Sequence, residues 1–264
     1  MSALSLQGPW GRVARCCLAT IGFAATAVAQ AAPTVEEALA LEPRQTGVDF
    51  DRPGSEEVPK CSIQQEKLDG ATALVVRGPA GRILRAFADV NGDRVVDRWS
   101  YFKDGLEVYR EIDGDDKDTK ADQSRWLTSA GSRWGIDADG DGSLDAWKVI
   151  SAEESTAEII NALRDRDPKA FARLLPNQSE LEAAGFSPDR ATELAARART
   201  AAQEFVQLVA TQQTVGPAAT WASMLTPQSP GVLPAGTPGV AQDVTAYDNV
   251  VALAEDGGKG SQVV

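Results

Sequence analysis

The chain has 264 residues, with 38 acidic side chains against 26 basic ones, which gives a formal net charge of −12. A surface of this sign repels the phosphates of nucleic acids and of anionic membranes. The sequence contains no histidine, which excludes a Ser-His-Asp or Cys-His nucleophile system, a histidine-ligated zinc or iron site and an imidazole general base. We therefore expect a non-catalytic protein that attracts cations.

Residues 1–31 have the pattern of a secretory signal peptide. Arg12 and Arg15 supply the positive start, residues 16–28 form a short apolar run, and Ala29 and Ala31 give a small-x-small cleavage site. The run is shorter than the roughly 20 residues that cross a bilayer, and an uncleaved membrane anchor is the alternative. We expect an exported protein, periplasmic or extracellular, with no membrane association after cleavage.

Cleavage would leave Cys61 as the only cysteine, so no internal disulfide is expected, and would leave 38 acidic side chains against 24 basic ones. Cys61 is predicted to be a small buried apolar residue at the start of the first strand, and the alternative is a reactive thiol. It lies in residues 32–66, where four prolines among charged side chains predict an extended or partly disordered leader.

An acidic pattern in residues 67–150 returns at a fixed interval. The runs 89–99 and 137–147 match at an offset of 48 residues, and Asp113-Gly-Asp115 stands half-way between them. The interval is therefore 24 residues in three copies. An internal repeat of this kind indicates copies of one supersecondary unit that stack on each other.

Between the acidic loops lie β-rich runs joined by short turns, of which Asp104-Gly105 is the strongest hairpin signal. The predicted strands are 71–77, 82–88, 98–102, 106–112, 125–129, 133–136 and 146–150. Turns at one end of the sheet alternate with acidic loops at the other. The pattern predicts an antiparallel meander of about seven strands.

The acidic loops carry oxygen ligands at loop positions 1, 3, 5 and 9, which is how a short loop wraps a hard cation such as calcium. In the third loop, Gly142 stands at position 6, where the chain must bend. In the first loop, Arg94 stands there instead. The candidate ligands are Asp89, Asn91, Asp93 and Asp97 in the first loop, and Asp137, Asp139, Asp141, Ser143 (through its carbonyl) and Asp145 in the third.

The second loop, which starts at Asp113, fits the ligand pattern less well. Lys117 falls at position 5 and Ala121 at position 9, although a slip of one residue would recruit Asp118 and Asp122. The alternative for all three loops is that the aspartates only form Asx turns between strands.

The run Asp-x-Asp-Gly-Asp-Gly-x-x-Asp at 137–145 resembles the calcium loops of EF-hand proteins, dockerins and thrombospondin type 3 repeats. Both outer loops depart from the EF-hand at position 12, where Ser100 and Lys148 replace the bidentate glutamate, and they lack flanking helices. The resemblance implies calcium as the cofactor, bound with an affinity of about 10⁻⁴ to 10⁻³ M, as in extracellular modules.

The tryptophans of the repeat region, Trp99, Trp126, Trp134 and Trp147, are predicted to cover the sheet and add apolar area to small hairpins. The alternative is an aromatic platform that binds carbohydrate or another cell-surface component.

After Ile150 the pattern becomes helical, so the fold class is α+β. Helices are predicted from Ser151, Asp167, Asn177 and Ser187, the last of them to about 213, because each start carries a capping residue. A loop over 214–241 is followed by a strand over 244–254, a turn, and the start of a partner strand at 262–264. This incomplete β-hairpin suggests a fragment of a longer protein.

Short runs along most of the mature chain resemble the N-terminal half of a group of large secreted bacterial proteins. They are residues 59–62, 70–72, 99–111, 134–137, 163–174, 230–236 and 247–252. In that group a thioredoxin-like (redoxin) domain follows, which implies such a domain as partner and an accessory role beside a thiol-disulfide oxidoreductase. Its Cys-x-x-Cys is absent from this sequence. The helix-then-strand order after residue 150 also resembles a truncated NTF2-like cone.

Overall fold

A computed structural model of the protein describes residues 33–115, 120–127, 133–226, 230–247, 250–256 and 259–263. The predicted signal peptide lies outside these residues, as do Lys117 and Asp118 of the second acidic loop. The chain divides after Val149 into two compact units.

The first unit contains an eight-stranded antiparallel sheet in which each strand pairs with the next one along the chain. The strands are β1 Ser62–Leu68, β2 Ala71–Arg77, β3 Ile83–Asp89, β4 Arg98–Lys103, β5 Leu106–Ile112, β6 Gln123–Trp126, β7 Trp134–Ile136 and β8 Ala146–Val149. The predicted antiparallel meander is therefore confirmed, with one strand more than expected. Asp104 and Gly105, at φ values of 52° and 81°, form the tight turn predicted between β4 and β5.

The additional strand is β1, which the sequence pattern assigned in part to the leader. It pairs with β2 along its whole length, from Ser62 opposite Arg77 to Leu68 opposite Ala71. It is an edge strand with mostly exposed or half-buried residues. Because an edge strand of this kind is polar on both faces, residues 62–68 lack the apolar alternation that marks a half-buried strand.

The segment before β1 is packed against the sheet and is not an extended leader. Thr34 forms a capping box with Glu37 at the start of helix α1, Val35–Leu39, and a 3-10 turn, Val58–Lys60, precedes Cys61. Ala38 and Phe50 are buried in the main core of the sheet together with apolar residues of β2, β3, β4 and β5. The segment therefore forms a covering layer that buries apolar area.

A buried arginine on the sheet, Arg85, is hydrogen-bonded to this covering layer. Arg85 on β3 is 1% exposed, and its Nη1 donates hydrogen bonds to the carbonyls of Asp51 and Leu84 at 2.9 and 2.7 Å. Its guanidinium carbon lies 4.3 Å from the ring centroid of Phe50 and 5.3 Å from that of Tyr101, so two aromatic faces replace part of its hydration. Burial lowers the pKa of Arg85 to about 10, and the group stays charged at neutral pH.

Aromatic side chains run across the middle of the same face. Tyr101, Tyr109, Trp126 and Trp147, on β4, β5, β6 and β8, follow each other with neighbouring ring centroids 5.1 to 5.8 Å apart. Trp99 and Trp126 are buried, at 4% and 7% exposure. Aromatic pairs at these distances stabilise a core beyond their area alone, so these two tryptophans have the predicted structural role.

The described residues of the second unit form four helices and two small antiparallel sheets. Its elements are α2 Ala152–Asp165, α3 Pro168–Ala172, α4 Gln178–Ala183, α5 Pro188–Thr211, β9 Ala219–Leu225, β10 Gly231–Leu233, β11 Val244–Ala246, β12 Val251–Asp256 and β13 Lys259–Val263. The predicted caps at Ser151, Asp167, Asn177 and Ser187 all accept a backbone N–H of the first turn.

The C-terminal strands differ from the prediction. The segment 214–241, predicted as a loop, contains β9 and β10, and the strand predicted over 244–254 is two strands, β11 and β12. β12 pairs with β9 on one side and β13 on the other. Proline and glycine on both sides of residues 219–225 obscured β9, which is held in place by packing against α2. The indole Nε1 of Trp221 donates to Thr156 Oγ1 at 3.0 Å.

Candidate metal-binding loops

Six aspartates form a row at one end of the eight-stranded sheet. They are Asp89, Asp97, Asp113, Asp122, Asp137 and Asp145, one at each acidic-loop end of β3 to β8. Backbone hydrogen bonds of 2.7 to 3.0 Å hold the row together, and two of them join different loops: Asp113 N donates to the Asp97 carbonyl, and Asp137 N to the Asp122 carbonyl. The three acidic loops therefore lie side by side, as the 24-residue interval predicted.

The third loop is closed by its own carboxylates. Asp137 accepts the backbone N–H groups of Asp141 and Gly142 at 3.1 and 2.9 Å. Asp139 accepts the N–H of Asp141 at 3.1 Å, and Asp145 accepts that of Ala138 at 2.7 Å. These bonds fix the side chains at positions 1, 3 and 9.

The first loop repeats this scheme. Asn91 at position 3 accepts the N–H of Asp93 at 2.8 Å, Asp97 at position 9 accepts that of Val90 at 2.6 Å, and Asp89 at position 1 accepts that of Arg94 at 3.1 Å. Shared hydrogen bonds at equivalent positions show that the sequence repeat is a repeat of loop structure.

Positions 4 and 6 of both outer loops have the left-handed backbone. Gly92 and Arg94 have φ values of 89° and 79°, and Gly140 and Gly142 have 70° and 98°. Glycine adopts this region without strain, whereas a residue with a β-carbon costs about 1 to 2 kcal/mol there. The sequence correctly identified position 6 as the weak point of the first loop.

The second loop contains one residue more than its neighbours. Asp122, at position 10, takes the place that Asp97 and Asp145 have at position 9: its N–H donates to the Ile112 carbonyl at 3.0 Å, and its carboxylate accepts Gly114 N–H at 2.9 Å. The one-residue slip considered from the sequence therefore holds for Asp122. Ala121 is instead buried in the core.

Three carboxylates converge in the third loop. Ligand oxygens of Asp137, Asp139 and Asp145 all lie within 4.8 Å of one another. Calcium–oxygen bonds are about 2.3 to 2.6 Å long, so oxygens around one ion are at most about 5 Å apart and the trio fits a common ion. Asp141 is not one of the three. Its carboxylate accepts the N–H of Ser143 at 2.7 Å.

The first loop does not assemble an equivalent trio. Within the described part of the chain, Asp89, Asp93 and Asp97 do not reach the mutual distance found in the third loop. Asn91 contributes an amide in place of a carboxylate. The sequence likewise ranked the third loop above the first as a candidate site.

Sequence reasoning missed the cation beside the third loop. Arg44 Nη2 lies 3.3 Å from Asp137 Oδ2 and 3.3 Å from the Gly140 carbonyl oxygen, and Nη1 donates to the Ala121 carbonyl. The next residue, Gln45, donates to the Gly142 carbonyl at 2.9 Å. Arg44 is more than 90 residues before the loop, in the segment predicted as a leader, so no local pattern could reveal the contact.

A buried carboxylate, that of Glu111, lies next to Arg44. Glu111 on β5 is 4% exposed. It accepts the backbone N–H of Arg44, and the Tyr109 hydroxyl donates to it at 3.1 Å. Burial raises the pKa of Glu111, and these hydrogen bonds oppose the shift. Burial, and then the charge of Glu111, also raises the pKa of Tyr109.

No family model matches this chain. No curated protein and no solved structure matches it either. Its function is therefore inferred from the geometry of its own residues.

The remaining candidates from the sequence have simple surroundings. Cys61 is half-buried, not buried as predicted, and its Sγ lies 3.4 Å from the Glu57 carbonyl oxygen. Partial burial, and then the Glu57 charge, raise the pKa of the thiol.

Two cations lie over the ring of Trp134. The guanidinium carbon of Arg125 is 4.8 Å from the ring centroid, and Lys148 Nζ is 3.7 Å from it. In the part of the chain that the structure describes, no helix is long and apolar enough to cross a membrane.

Proposed function

We propose that the protein is an exported, non-catalytic calcium-binding repeat module, periplasmic or extracellular, in which the ion stiffens the loops at one end of the sheet. The observation that carries the proposal is the convergence of three carboxylates, from Asp137, Asp139 and Asp145, within 4.8 Å. Three negative oxygens at this separation repel each other in the absence of a cation, and calcium is the hard ion that takes such ligands.

The hydrogen bonds of the loops are those of Asx turns, so what favours calcium over a purely structural role for the aspartates is the set of oxygens that these bonds leave gathered. The same hydrogen-bond scheme recurs in the first and third loops, which are separated by 48 residues, and it leaves ligand oxygens gathered inside the third loop. Weak binding is expected because Lys148 stands where an EF-hand has its bidentate glutamate, and because Arg44 already neutralises part of the charge.

The other functions considered have less support. A raised thiol pKa means that Cys61 is mostly protonated at neutral pH, so a contact thiol of a redoxin partner is disfavoured. Two of the four repeat tryptophans are buried, and cations lie over Trp134 and Trp147, which leaves little aromatic surface for a carbohydrate. The NTF2-like arrangement of the second unit is a proposal that the order of helices and antiparallel strands supports.

The test is a calcium titration of residues 32–264 by calorimetry, with emission from tryptophan as a second readout because Trp147 follows the third loop. We expect a dissociation constant of about 10⁻⁴ to 10⁻³ M for calcium and a higher melting temperature at millimolar calcium. Sodium chloride at equal ionic strength is the control for screening, and magnesium is the control for ion type.

Two variants of the third loop separate a calcium site from general acidity. Asp139→Ala removes a carboxylate of the converging trio, whereas Asp141→Ala removes the same charge from the same loop outside the trio. We expect the first change to weaken calcium binding at least tenfold more than the second. Equal losses would mean that only net charge matters, and no heat of binding above the salt control would refute the proposed function.

A further inference from the structure

The second unit contains an apolar cavity of about 740 Å³, which is separate from the acidic loops of the first unit. It lies between α2, α3, α5 and β12, and its volume is within the roughly 300 to 1,000 Å³ typical of small-molecule sites. Its main apolar lining residues are Ile159, Leu163, Phe171, Phe205, Leu208 and Val215. Phe171 and Phe205 are stacked, with centroids 4.0 Å apart, and form a flat wall.

Two polar side chains of the lining, Thr156 and Gln212, form hydrogen bonds within the protein. Thr156 Oγ1 donates to the Glu153 carbonyl and accepts the indole N–H of Trp221. The amide of Gln212 donates to the carbonyls of Leu163 and Val215 and accepts the N–H of Val215. A ligand in the cavity therefore finds apolar surface and few groups that need a hydrogen bond.

Glu204 is the exception and the only charged residue of the lining. It is exposed, and its carboxylate makes no hydrogen bond or ion pair with any residue that the structure describes. The hydroxyl of Thr214, also exposed, belongs to the same lining. A carboxylate next to an apolar cavity favours a ligand whose polar end is a cation, and the net charge of the chain, −12, acts in the same direction.

We propose that this cavity binds a small amphipathic cation: an apolar ring or chain against Phe171 and Phe205, with an ammonium or guanidinium group paired to Glu204. Burial of the apolar part supplies most of the affinity, and the carboxylate selects the charge of the head group. The site is independent of the acidic loops of the first unit and does not rest on calcium binding.

The probes are three molecules with one apolar body and different heads: 4-phenylbutylamine, 4-phenylbutanol and 4-phenylbutyrate. Calorimetry and thermal shift at low ionic strength should rank them amine, alcohol, carboxylate, with the amine at least tenfold tighter than the carboxylate. Glu204→Gln should bring the affinity for the amine down to that for the alcohol. Glu182→Gln, on α4 outside the lining, removes the same charge and should leave the ranking unchanged.

A substitution that fills the cavity tests its location. Ala201→Leu places a larger side chain in the lining and should weaken all three probes, with circular dichroism to show that the helices remain. Because Glu204 is exposed, Glu204→Gln is expected to fold even if Ala201→Leu does not. Absence of binding by all three probes would overturn the proposal, and so would a carboxylate bound as tightly as the amine or a ranking unchanged by Glu204→Gln.

Discussion

Arg44→Gln should raise the affinity of the third loop for calcium. Arg44 Nη2 lies 3.3 Å from Asp137 Oδ2, and a calcium ion bound to that same oxygen would be about 2.4 Å from it. The two cations would therefore be within roughly 6 Å of each other. Their repulsion is about 1.5 kcal/mol if it is screened as in bulk water and about 6 kcal/mol at an effective dielectric constant of 20.

The Arg44 side chain is 26% exposed and that of Asp137 4%, so solvent screens the pair only in part and the bulk-water figure is the minimum. An energy of about 1.4 kcal/mol corresponds to a tenfold change in the dissociation constant. We therefore expect calcium to bind Arg44→Gln at least about tenfold more tightly than the wild type, measured by calorimetry at low ionic strength. The difference should shrink as sodium chloride is added.

Two control variants separate the effect of the Arg44 charge from the effect of hydrogen bonds that hold the loop backbone. Arg44→Lys keeps the charge and should bind calcium like the wild type. Gln45→Ala removes the neighbouring hydrogen bond to the Gly142 carbonyl without a change of charge, and should weaken binding slightly. If Arg44→Gln weakens binding as Gln45→Ala does, Arg44 acts as a brace of the loop and the electrostatic reasoning is refuted.

Three further predictions concern stability and the buried acid. Phe87→Ala, at a core position with 0% exposure, should lower the free energy of unfolding by about 3 to 5 kcal/mol in urea, whereas Leu106→Ala, 73% exposed, should change it by less than about 0.5 kcal/mol. Ser151→Ala removes the cap of α2 and should cost about 0.5 to 2 kcal/mol in the same assay, and no loss would show that the capping box adds nothing. The pKa of Glu111 is raised in the folded state, so its contribution to stability is fully present below its unfolded pKa and is lost as pH rises through the folded pKa. Glu111→Gln should remove that dependence, and a constant stability difference between wild type and variant from about pH 4 to 7 would contradict it.

The sequence predicted best where structure is local. Strands β2 and β5 and the four helix caps depend on alternation, turn residues and side chains that bond the next turn, so their signals lie within a few residues. The aspartates of the third loop could be found for the same reason, because the loop closes with hydrogen bonds between near neighbours.

What could not be predicted depends on contacts between distant segments. Arg44 meets Asp137 only after the segment before β1 has folded over the sheet, and Phe50 looks like one aromatic residue in a polar stretch until Arg85 and Tyr101 surround it. The edge strand β1 lacks an apolar face, and β9 is defined by its pairing with β12 and its packing on α2. In each case tertiary packing overrides a weak local preference.

The row of strand ends has a consequence for how ions would be taken up. Asp97 is bonded through its carbonyl to Asp113, and Asp122 to Asp137, so no loop can shift its backbone without pulling on the one beside it. Immobilising one loop would lower the entropy that its neighbour must still lose. An ion bound in the third loop would therefore also restrict the backbone of the second loop, which is bonded to it.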